Sequence, residues 1–337
     1  MKGSKRSLTV LILLLCLTFA FTASAGAAPV VLKLSHQWAT SDIRAFWAVK
    51  WAEMVADKSK GQIKVEIYPA SSLFKPAMQY DALRAGSLDA CLMVTSYLDG
   101  KMPQVGVAGL PTIIKNEKEG LAWGHSPIGE KLNELSKKNG FEILSWAYLT
   151  GSVGAKGKAV VRPEDLNGLK ARGAGKYYES MMREAGASIT SMPSSEVYFA
   201  CQTGVLDGLI TTYSSFVSFR LYEVIDNLSS SDGYDIYGGH VWLLVSNSTL
   251  KKLDPAQREI LVQAGQEVEP LVLEKLLEAK ADCVKTFQDK GVKISNITKE
   301  DFEVWRKVAM KSAYEMFRQK VKDADDWLKL ADQVNVQ

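Results

Sequence analysis

Short β-rich runs alternate with helical patterns along this chain, and that alternation constrains its fold more than any other feature. Val30-Val31-Leu32-Lys33-Leu34 is a β-rich run that ends at a polar loop, Ser35 to Ser41. From Phe46 to Val55 the residues Phe46, Val49, Met54 and Val55 fall near one helical stripe. Ile63, Val65 and Ile67 alternate with polar neighbours, the two-residue period of a strand. A helix over Pro76 to Ala85 and a buried strand from Leu88 to Val94 follow. A βαβαβ order of this kind favours a mostly parallel sheet with helices on its faces.

A second unit of the same type begins near residue 150. The polar stretch Thr150 to Lys158 precedes a short strand at Ala159-Val160-Val161, and Pro163 opens a helical turn where its missing N–H does least harm. Leu169 to Arg172 reads as a strand ending at Gly173. Helix (Tyr177 to Ala185), strand (Ser188 to Met192), helix (Ser194 to Gln202) and strand (Leu206 to Thr211) complete the unit. Gly239 to Val245 is a further strand. From Asp254 to about Lys290 a single helical pattern runs for about 35 residues, several times the usual helix length. At 1.5 Å per residue it would reach roughly 50 Å, enough to lie across two domains. Pro270 inside it predicts a kink, or a break into two helices near Gln266 to Pro270.

The N-terminus has the parts of an export signal. Lys2, Lys5 and Arg6 precede an apolar stretch from Leu8 to Phe21, and small residues at Ala23-Ser24-Ala25 or Ala25-Gly26-Ala27 offer a cleavage site after about Ala25 or Ala27. That stretch is short for a membrane span, and Leu15 before Cys16 lacks the small residue of a lipid-attachment signal. Residues 1–27 are therefore read as a signal peptide and the mature protein as periplasmic. The chain carries 41 basic and 38 acidic residues. Removing the three basic residues of the signal leaves the two signs balanced, which argues against a nucleic-acid partner. Roughly 310 mature residues exceed one ordinary core and imply two domains. We place one over 28–149 plus about 239–270, and the other over 150–238 plus about 271–337 with a helical C-terminal region. Cys91, Cys201 and Cys283 are odd in number and widely spaced, so they form no readable disulfide framework.

Catalytic patterns nearly form and then fail. Gly124-His125-Ser126-Pro127-Ile128 has isoleucine where a nucleophile elbow needs its second glycine. Gly175-Lys176 has Lys170 at the first glycine position of a phosphate loop and Tyr177 after the lysine. His36, His125 and His240 are too far apart in sequence to form a metal-ligand motif, and neither a metal nor a cofactor is expected. Polar and aromatic residues do stand at strand ends, where open α/β sheets bind ligands: Gln37 and Trp38; Thr95, Ser96 and Tyr97; Arg172; Thr211, Thr212 and Tyr213. Two units facing each other would enclose these in a cleft.

Five spaced segments carry a resemblance to a known family. They are IYPASSL at 67 to 73, GSLDA at 86 to 90, PEDLNGLKARG from Pro163, SSEVYFACQTG from Ser194, and the Asp207-Gly208 pair. In these the chain resembles the solute-binding subunits of tripartite ATP-independent periplasmic (TRAP) transporters, from residue 30 to about 335. The resemblance implies two α/β domains with a ligand cleft between them and a long helix spanning both. It implies a non-enzymatic protein, expected to be monomeric, that closes on an organic acid and delivers it to integral-membrane permease subunits. A binding protein of an ATP-driven importer or of a sensor system is the alternative.

The family's carboxylate-pairing arginine matches Arg172, and a guanidinium fork suits a carboxylate in charge and shape. Gln37 and Trp38 match its first cleft-facing loop, and Thr95 to Tyr97 the loop after the third strand. Thr211 stands where many members have asparagine. The second arginine of sialic-acid-binding relatives is missing near Ser152 and Val153. Those departures argue against sialic acid and against a C4-dicarboxylate by default. A single arginine beside Trp38, Tyr97, Trp146 and Tyr213 would suit a monocarboxylate with an apolar or aromatic body.

Overall fold

Two short parallel sheets are joined through a long antiparallel centre in the computed structural model, which describes residues 28–334. The export signal expected over residues 1–27 lies outside the described residues. The strands are β1 (Val30–Ser35), β2 (Ile63–Tyr68), β3 (Ala90–Val94), β4 (Phe141–Ala155), β5 (Lys170–Arg172), β6 (Ser188–Ile189), β7 (Gly208–Thr212), β8 (Asn227–Ser231), β9 (Tyr237–Ser246) and β10 (Lys293–Ile297). The helices are α1 (Ile43–Lys58), α2 (Pro76–Ala85), α3 (Glu117–Gly124), α4 (Pro127–Lys138), α5 (Lys176–Glu184), α6 (Val197–Gln202), α7 (Tyr213–Ser218), α8 (Asn247–Lys252), α9 (Pro255–Asp289), α10 (Lys299–Ala309), α11 (Glu315–Lys320) and α12 (Ala324–Asp332).

The strand order is β2-β1-β3-β9-β4-β7-β5-β6, with β8 paired to both β4 and β10. On one flank β2, β1 and β3 run parallel; on the other, β6, β5 and β7 do. The mostly parallel sheet expected from the alternation holds only on these flanks. At the centre, β3–β9, β9–β4 and β4–β7 are all antiparallel. β4 makes the join: residues 141–151 pair with β9, and residues 151–155 pair with β7. The strand expected at Ala159-Val160-Val161 does not form, and Thr150–Ala155, read as a polar stretch, is the end of β4. That segment gives no alternation because it is buried on both sides. A Cβ on Gly154 would come within 2.3 Å of Ile225 and 2.7 Å of Phe216.

α9 is one helix of 35 residues despite Pro270. Asp254 caps it, accepting from the Gln257 N–H at 2.8 Å while the Gln257 side chain accepts from Asp254 N at 3.2 Å. Its first half buries Leu261, Ala264, Val268 and Val272 in a core shared with β1, α1 and β9, which includes Leu34, Trp47 and Trp51. Its second half buries Cys283 and Phe287 in another core with Leu209, Phe216 and Leu228. At Gly265 the helix meets the β4 backbone, where a Cβ would lie 2.3 Å from the Leu144 carbonyl oxygen. Buried Glu269, next to the proline, accepts from the Trp146 N–H at 2.8 Å and contacts His125 Nε2 at 2.7 Å. Contacts on both sides of Pro270 thus hold the helix continuous where a proline alone would favour a break. A third core, containing Trp146, Trp242, Tyr178 and Met181, is closed by Trp305, Phe317 and Trp327 of the C-terminal helices.

Candidate functional site

Between the two flanks lies a small cavity with about 20 Å3 open to the centre of a water molecule, on the order of one water. The flanks close on it directly: a Cβ on Gly175, at φ 114° before α5, would lie 2.5 Å from the Ser96 Cβ. The Tyr97 hydroxyl bridges them, accepting from Gln37 Nε2 at 3.2 Å and more loosely from the Ser194 N–H at 3.4 Å. Lys176 Nζ donates to the Asp99 carbonyl at 2.7 Å in a further contact of the same kind.

Of the residues expected at the site, Ser96, Tyr97, Arg172, Thr211 and Thr212 form part of the cavity wall. Gln37 stands behind Tyr97, bonded to its hydroxyl. Thr95 is buried at the start of the turn after β3, and Trp38 is fully buried. Tyr213 lies in the core of the β7 flank, where its hydroxyl donates to Asp235 Oδ1 at 2.7 Å. Trp146 packs edge-on against Trp242 with centroids 4.9 Å apart. The wall therefore gathers polar groups at strand ends, with Tyr97 and Tyr237 as its aromatic members.

Arg172 ends β5 and is only 3% exposed. Its Nε donates to the Met192 carbonyl and its Nη1 to the Ile210 carbonyl, each at 3.0 Å. No acidic side chain among the described residues comes within 4.0 Å to pair with it. A guanidinium has five donors, so two carbonyl bonds fix its plane and leave donors for the cavity. A buried cation without a counter-ion is costly, and an anion in the cavity would relieve that cost.

The sequence pattern did not reveal Arg44, which also lines the cavity and is 2% exposed. Apolar spacing had placed the helix start near Phe46, but α1 begins at Ile43 with Asp42 as its cap. Asp42 accepts from Arg44 N at 2.9 Å, from Nε at 2.6 Å and from Nη2 at 2.6 Å. The guanidinium lies over the Trp38 ring, 4.3 Å from its centroid, and Nη2 reaches across to Ser215 Oγ at 3.0 Å. A signal was present in the sequence. Arginine in the first turn of a helix opposes the helix dipole, so it implies a local acid or a functional demand.

His36 and Tyr237 stay neutral near pH 7. Burial lowers His36 to about 4, with Asp42 opposing and Arg44 assisting the shift. Burial pushes Tyr237 up to about 12, while Arg172 and Arg44 both pull it down, which places all three in one electrostatic neighbourhood.

The family described as bacterial extracellular solute-binding protein, family 7, matches residues 34–320. A solute-binding protein of Albidiferax ferrireducens is 33% identical over 307 residues, covering 90% of this chain and 91% of that protein. A TRAP periplasmic solute binding protein from Rhodoferax ferrireducens, solved with bound malonate, superposes with a TM-score of 0.86. It is 32% identical and covers 90% of this chain and 98% of its own. A marine metagenome TRAP solute binding protein specific for aromatic acid ligands shares the fold at a TM-score of 0.83 and 23% identity, covering 91% of this chain and 98% of its own.

Proposed function

This chain belongs to bacterial extracellular solute-binding protein family 7, and from that premise we propose that it is the solute-capturing subunit of a TRAP transporter. It takes an organic acid into the cavity between its flanks and holds the carboxylate on Arg172. Closure follows as Tyr97, Ser96 and Lys176 meet the opposite flank, and the loaded protein delivers the acid to membrane permease subunits. The chain makes and breaks no bond in this cycle. It works as a monomer outside the cytoplasmic membrane, consistent with the signal-like residues 1–27. Among the described residues no helix is long and apolar enough to cross a membrane. The moving units are 28–149 with about 239–270, and 150–238 with about 271–337, bridged by α9.

The observation that carries this reading is the buried charge of Arg172, held by two carbonyls on a cavity wall with no acidic partner. A charge-assisted hydrogen bond contributes about 1.5–3 kcal/mol, so losing it weakens binding at least tenfold. Calorimetric titration of wild type and Arg172→Ala with a panel of organic acids tests this. Malonate belongs in the panel as a reference dicarboxylate, because the 32% identical protein carries it. Equal affinity of the variant for the best acid would remove Arg172 from the role. If wild type bound no acid, the solute class itself would be wrong.

A further inference from the structure

The cavity wall holds two arginines but only one net positive charge. Asp42 meets Arg44 side-on, taking Nε and Nη2 at 2.6 Å each, and both partners are buried. With Nε and Nη2 engaged by Asp42 and Ser215, Nη1 is the part of the fork left for the cavity. The Trp38 face and the Ser215 hydroxyl hold the guanidinium in place, so it is pre-oriented as a donor. His36 beside the pair and Tyr237 in the wall are both neutral near pH 7. Arg172 is thus the single uncompensated charge facing the solute.

We propose that the Arg44–Asp42 pair is a charge-cancelled donor that selects the solute: a small monocarboxylate carrying an uncharged oxygen, as in a hydroxy or oxo acid. The carboxylate lies on Arg172 and the neutral oxygen accepts from Arg44 Nη1. A second carboxylate at that position gains no net charge attraction, because Asp42 offsets Arg44 and repels it through a low-dielectric interior. This rests on the reading of Arg172 as the carboxylate holder and deepens it by naming the solute class.

The test is titration at pH 7.5 with lactate, pyruvate, propionate and malonate. Wild type is expected to bind lactate or pyruvate at least tenfold more tightly than propionate, which lacks the oxygen, and more tightly than malonate. Asp42→Asn keeps an acceptor for the helix cap and removes the negative charge. It should shift the malonate-to-monocarboxylate ratio at least tenfold towards malonate. If Asp42→Asn does not fold, the double variant Asp42→Asn with Arg44→Met removes both charges together. That variant should still bind monocarboxylates but no longer distinguish lactate from propionate. A wild type that prefers malonate, an unchanged ratio in Asp42→Asn, or retained discrimination in the double variant overturns the proposal. Arg172→Ala separates the two readings. If it abolishes acid binding while Asp42→Asn leaves the ratio alone, the carboxylate assignment stands and the selection by Arg44–Asp42 falls.

Discussion

Arg172 and Arg44 share one cavity and nearly equal burial, yet they stand in opposite electrostatic situations. Arg44 arrives with its acid two residues before it, and the pair is complete within the protein. Arg172 has two carbonyls for company and an unmet charge. The difference separates a group that builds the site from a group that waits for a ligand. Removing one partner of a buried ion pair strands the other, whereas removing an already uncompensated charge relieves a burden. Sites of this kind hold functional groups at some expense of stability.

The largest expected effect tests this division directly. Asp42→Ala leaves Arg44 buried and unpaired and should lower unfolding free energy by about 3–5 kcal/mol in urea. Arg172→Met, without ligand, gives up two carbonyl bonds but also a buried charge, so its change should stay under about 2 kcal/mol. If Arg172→Met proved the more destabilising of the two, the comparison would fail. Adding the best acid at about a hundred times its wild-type Kd should then stabilise wild type by about 2.7 kcal/mol and Arg172→Met by no more than about 1.4 kcal/mol. Thermal or urea unfolding with and without the acid reads that difference.

A smaller effect concerns His36 beside the Arg44–Asp42 pair. Its folded pKa of about 4 lies below the ordinary 6.5, so the unfolded chain binds the proton more readily between those values. Stability should therefore fall as pH drops from 6.5 towards 4. His240 is lowered to about 4 by burial and acts in the same direction, so His36→Gln should flatten only part of the slope. A slope identical to wild type would mean that burial does not hold His36 below its ordinary value.

The smallest effect has the opposite sign. The hydrogen bond to Glu269 raises His125, so its contribution is full below 6.5 and lost as pH rises through the raised folded value. Because His125 is half exposed, solvent screens it. Wild type should lose a little stability between pH 6 and pH 8.5 relative to His125→Gln, measured by urea midpoints. No difference would mean that Glu269 is held by Trp146 alone.

Much of this organisation could be read from local pattern. The alternation located β1 to β3 and β5 to β7 within a few residues, because period and turn residues act over short range. The continuity of α9 was harder, since Pro270 argues for a break that only packing on both flanks prevents. The end of β4 was missed because Gly151, Ser152 and Gly154 are buried on both faces and show no alternation. β8 and β10 pair across more than 60 residues, a separation no local window spans. At the site, the strand-end rule reached Ser96, Tyr97, Arg172, Thr211 and Thr212. It could not assign Tyr213 to a core rather than a wall, because the partners that bury it, such as Asp235 and the core around Phe287, lie far away in sequence.

The sequence alone therefore determined an α/β chain with a long helix, and it placed an arginine and hydroxyl groups at strand ends where a ligand would meet them. Those features follow from side-chain period, turn chemistry and the direction of strands. Only the tertiary structure decided which charges remain uncompensated. Asp42 and Arg44 are neighbours in sequence, but their turn into the cavity depends on Trp38 beneath them and on Ser215, 171 residues away. Charge cancellation is set by distances of a few ångströms through space, and the contacts that bury the Arg44–Asp42 pair and leave Arg172 without an acid exist only in the folded chain.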